Sequence, residues 1–155
     1  MNSITPHRGG APVGFLTELG PVEAKAVLYL RLWCDGPDAQ QQVWNDFARE
    51  LGSENGRKAL KSFETLCSLC VRHGRRPLMR HHATCECLGA DESCFANFVG
   101  YASEGEREDA LMIATTIVRP DMAPSLVGLA QDFGLALRRM ALKTNTSDEK
   151  PTTFH

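Results

Sequence analysis

The sequence has no long hydrophobic run. No stretch approaches the roughly 18 apolar residues that crossing a bilayer requires, and Met1 to Gly14 carries no apolar segment of signal-peptide length. No membrane association is expected, and the cytoplasm is the expected compartment. Charge of one sign is also missing: 17 Lys and Arg face 19 Asp and Glu, a net charge of -2, which excludes a basic nucleic-acid coat and an acidic tail protein. Trp and Tyr are scarce, two of each, so there is little of the exposed aromatic surface that stacks on single-stranded bases. Signatures of catalysis are absent as well. There is no Gly-rich phosphate loop, no Gly-x-Ser-x-Gly elbow, no His-Glu-x-x-His, and no His-x-Glu with Pro-Cys-x-x-Cys. No internal repeat is present, and no segment keeps up the period-two alternation of a half-buried strand.

What is present is helical periodicity. Pro21 opens a first helix through Val22, Ala26, Tyr29, Leu30 and Trp33, broken at Gly36-Pro37. Asp38 begins a second, with Val43, Trp44, Phe47 and Leu51 inward and Gly52 as its stop. Ser53 caps a third, whose stripe of Ala59, Leu60, Phe63, Leu66, Cys67, Cys70 and Val71 ends at Gly74. After an irregular stretch from Arg75 to Ala90, Asp91 caps a fourth helix with Phe95, Phe98 and Val99 inward. A fifth carries Ala110, Ile113, Ala114 and Ile117, and Pro120-Asp121 opens a sixth through Leu126, Phe133 and Met140. The expected fold is all-α: a compact bundle of about six helices over residues 20–142, with one long irregular loop between helices three and four. Residues 1–19 and 143–155 read as a flexible arm and tail unless they dock.

Cysteine is abundant and clustered. Five of six cysteines and three of five histidines fall between Cys67 and Cys94, ordered Cys67, Cys70, His73, His81, His82, Cys85, Cys87, Cys94. A chain of 155 residues buries a core without disulfide staples, and in a reducing compartment clustered thiols point to metal or redox chemistry. Thiolate and imidazole are the ligands zinc prefers. The expected ligands of one zinc ion are His82, Cys85, Cys87 and Cys94, with Cys67, Cys70, His73 and His81 as alternates; an iron–sulfur cluster is the other metal such thiols serve. Cys67 and Cys70 also continue an apolar stripe and, taken singly, read as core before ligand. Cys85 and Cys87 lie outside any apolar periodicity, which leaves packing a poor explanation for them.

The same region is basic. Between residues 72 and 82 no acid interrupts Arg72, Arg75, Arg76 and Arg80, and Arg75, Arg76 and Arg80 form the expected anion site, for a phosphate or a nucleic-acid backbone. The opposing explanation pairs these arginines with Glu86, Asp91 and Glu92. Together these features lead to an expectation of a small zinc-binding helical module that acts through its surface, with a protein partner or a second copy of itself. The alternatives are a zinc-dependent hydrolytic enzyme, for which no sequence signature speaks, and a thiol redox sensor using Cys85 and Cys87.

Overall fold

Prolines and glycines set the helix ends. In the computed structural model, which describes residues 8–148, α1 spans Pro21–Trp33 with proline in its first turn, where the missing N–H has no intrahelical acceptor to lose. α2 (Pro37–Leu51) begins the same way after Gly36 and stops at Gly52. Those two glycines have φ of 110° and 83°, a region that strains any residue with a Cβ. α3 covers Ser53–His73, α4 Ala90–Ser103, α5 Arg107–Ile117 and α6 Ala123–Asp148. The all-α expectation of six helices holds.

Several details differ. Ser53 is the first helical residue of α3, and Gly52 takes the cap position without a side-chain bond. Pro120–Met122 is a separate 3-10 turn ahead of α6, and α6 runs into the stretch expected as a polar tail. Two short strands are present, β1 (Pro12–Phe15) and β2 (Cys87–Gly89), paired antiparallel with Phe15 opposite Cys87. Strands of this length are too short for alternation to register. Through them residues 8–18 of the expected arm dock; residues 1–7 of the arm and 149–155 of the tail lie outside the described residues.

α6 lies against each of the other five helices. At its contact with α3, Phe63 and Phe133 stack with ring centroids 4.5 Å apart, and Tyr29 of α1 meets Phe47 of α2 edge-on at 5.1 Å. α2 and α3 approach closely because Gly56 has no side chain: a Cβ there would lie 2.8 Å from the Phe47 carbonyl oxygen. The segment from Gly74 to Glu86 joins α3 to β2. Its first residues are fixed by Arg75 N–H to Ile117 O (3.0 Å) and Arg119 N–H to His73 O (3.3 Å).

Candidate thiol site on the loop between α3 and β2

The loop is anchored from inside the bundle. Ala26 to Trp33 is apolar apart from Arg31, so α1 is buried on nearly every side and carries Arg31 in with it, 3% exposed. Its guanidinium meets fully buried Glu92 of α4 through two bonds, Nε to Oε2 at 2.6 Å and Nη2 to Oε1 at 2.8 Å. Two further bonds run from Nη1 to Cys85 O (2.6 Å) in the loop and from Nη2 to Cys87 O (2.7 Å) at the start of β2. Glu92 in turn accepts the backbone N–H of His81 (3.1 Å) and of Gly89 (3.0 Å). A buried ion pair is stable only when its spare donors and acceptors are satisfied, and here the loop backbone satisfies them.

Asp91 repeats the arrangement nearer the surface. It accepts a forked pair from Arg76 (2.7 and 2.5 Å) and the Met79 N–H (2.7 Å). The expected helix-capping role for Asp91 is therefore replaced by a clamp on the loop. Gly89 holds the cap position of α4.

This framework presents Cys85 and Cys87. Their carbonyls are held by Arg31, and Phe15 pairs with Cys87 across the two strands. Cys87 follows Cys85 with only Glu86 between them, and the two thiols influence each other electrostatically. Partial desolvation first, then the Cys85 sulfur, push the Cys87 thiol up, against the opposing charge of Arg31, so Cys87 keeps its proton at neutral pH. On the other side, His81 Nδ1 stands 3.7 Å from Cys85 Sγ, and His81 Nε2 stands 2.8 Å from Gly10 O. A carbonyl only accepts, so Nε2 carries the hydrogen and Nδ1 of the neutral ring presents its lone pair to the Cys85 S–H. The result is a thiol beside an oriented imidazole, with a second cysteine two positions along the chain.

Comparison with protein families, curated proteins and solved structures returns no match.

The other expected ligands lie elsewhere. His82 is exposed and bonds Thr84 Oγ1 at 3.0 Å. Cys94 turns toward α5, 3.8 Å from Thr116 Oγ1. His73, at the far end of α3, accepts from Arg119 at 3.1 Å. Cys67 is buried in the main core and Cys70 packs against it. Among the described residues no group of three or more His, Cys, Asp or Glu is arranged to hold a metal ion. Of the expected anion residues, Arg76 is neutralised by Asp91, whereas Arg75 bonds the Thr115 carbonyl (2.7 Å) and Arg80 the Leu78 carbonyl (3.2 Å). Sequence reasoning passed over Arg31 and Gly10. For Arg31 a signal exists: the one charge in the apolar run Ala26 to Trp33 is carried into the core and needs a buried acid.

Proposed function

We propose that the chain is a small thiol redox module in which Cys85 and Cys87 interconvert between dithiol and disulfide, with His81 as the base. The observation that carries this is the His81 Nδ1 to Cys85 Sγ approach, with His81 oriented by Gly10 O. His81 takes the Cys85 proton, and the thiolate attacks one sulfur of a small disulfide RSSR. A mixed Cys85–S–S–R bond forms and RS⁻ leaves, recovering the proton from His81. Cys87 then attacks the Cys85 sulfur, closes the Cys85–Cys87 bond and releases a second RSH with the Cys87 proton. Two protein thiols are oxidised and one small disulfide is reduced to two thiols.

Closing this ring changes the backbone where Arg31 and β1 hold it, so oxidation is transmitted to the buried anchor and to the docked N-terminal strand. That gives the module a regulatory output. The test is a glutathione redox titration of reduced protein followed by thiol labelling and mass spectrometry. One disulfide should form reversibly between Cys85 and Cys87 and disappear in Cys85→Ser. His81→Gln should slow oxidation at pH 7 on the order of a hundredfold, with less effect at pH 9. Stoichiometric zinc in the reduced protein, with thiols protected until unfolding, would replace this reading with the metal one.

A further inference from the structure

A second site, independent of Cys85 and Cys87, lies between the C-terminal ends of α1 and α3 and the start of the loop. It is a cavity of about 290 Å³, near the lower end of the roughly 300–1,000 Å³ of ligand pockets. Leu30, Leu78 and Phe95 contribute apolar wall. Cys34, Cys67 and Cys70 also line it, and they behave as apolar wall too. Burial pushes the Cys67 and Cys70 thiols up, Cys70 to about 12, and partial desolvation raises that of the exposed Cys34, so they are uncharged at neutral pH.

The mouth has the opposite character. Arg75 and Arg80 line it, and among the described residues neither has a carboxylate partner, each using one bond on a backbone carbonyl. Arg76, the third arginine there, is already matched by Asp91. The charge of Arg80 reaches inward as well, opposing the upward push of burial on Cys34 and Cys67. Val71, 84% exposed, stands at the same opening.

From this pairing of an apolar interior with two uncommitted guanidinium groups, we infer that the cavity binds a single-chain alkyl carboxylate, tail inward and head on Arg75 and Arg80. A tail buried here exchanges water for an apolar wall, and guanidinium matches a carboxylate with two parallel bonds. A cavity at the lower end of ligand-pocket volumes limits the length of that tail. The chain is therefore medium in length.

The test is isothermal titration calorimetry of the full-length reduced protein with sodium octanoate, octan-1-ol and inorganic phosphate at fixed ionic strength. Octanoate should bind saturably at one site, octanol at least about tenfold more weakly, and phosphate without measurable heat. Arg80→Gln should bring octanoate down toward octanol. Val71→Trp, at an exposed position that leaves the fold intact by circular dichroism, should block the mouth and abolish binding. Absence of saturable octanoate binding overturns the proposal. So does equal affinity for octanol, phosphate binding as tight as octanoate, or unchanged affinity in either variant. Cys85→Ser leaves all these results as they are, so failure here is distinguishable from failure of the thiol reading.

Discussion

Removing one end of the Arg31–Glu92 pair leaves the other charge buried and unpaired, a loss of about 3–5 kcal/mol. Arg31→Met and Glu92→Gln are each expected to lower unfolding free energy by about that amount in urea titrations. Buried ion pairs can often be exchanged for apolar residues at little cost, but this pair is an exception. Arg31 also serves two carbonyls and Glu92 two N–H groups; an Arg31→Met, Glu92→Met double variant leaves all four unpaired. It should remain destabilised by at least about 2 kcal/mol, and wild-type stability in the double variant would remove the anchoring role. Acid probes the same residue. Burial alone would raise the Glu92 carboxyl, but the bonds from Arg31, Gly89 and His81 outweigh it and hold the group below its ordinary value. The contribution of a depressed carboxyl is complete above the unfolded value of about 4.3 and is lost as pH falls through the lower folded one. Wild-type protein should therefore lose stability below about pH 4, and Glu92→Gln should flatten that limb of the profile.

Among the elements, glycine placement separates contact from conformation. Ala is preferred over Gly inside a helix by about 1 kcal/mol, and Gly128 of α6 has nothing within 4 Å of an added Cβ. Gly128→Ala should raise stability by roughly 0.5–1 kcal/mol. Gly56→Ala should do the reverse, because its Cβ would press on the Phe47 backbone, which cannot move aside as a flexible side chain can. Thermal unfolding of the two variants decides this; a stabilised Gly56→Ala would mean α2 and α3 have room to separate. The helices themselves were legible because Pro21, Pro37, Gly52 and Gly74 punctuate strongly periodic segments. β1 and β2 were not, since so few residues display no period and their pairing joins segments far apart in sequence. The site was legible in part. Cys85 and Cys87 stood out because packing did not explain them, yet the histidine beside them is His81, four residues before Cys85, while His82 faces solvent. Which of two adjacent histidines turns inward depends on the loop backbone, and that backbone is set by Arg31, Asp91 and Glu92 from other elements.

Across the whole molecule, beyond the bonds that tie its first residues to the end of α5, the loop is held by two sets of contacts: carboxylate and guanidinium side chains of α1 and α4, and the N-terminal segment around β1. Ala90 N–H donates to Ala11 O, Leu16 N–H to Glu86 O, and His81 rests on Gly10 O. By contrast, the Met79 and Gly89 N–H groups bond carboxylates of α4. Removing residues 1–16 therefore strips the N-terminal set and leaves the carboxylate set. In hydrogen exchange by NMR, the Ala90 amide should exchange at least about tenfold faster in the truncated protein, and the Met79 and Gly89 amides should keep most of their protection. Equal loss at all three would mean that the carboxylate clamps form only once the strand has docked, making the N-terminal segment the organiser of the loop. If the division holds, the truncation also frees His81 from its carbonyl while Cys85 and Cys87 stay on Arg31. On the thiol reading proposed above, oxidation should then slow, because His81 is no longer oriented toward Cys85.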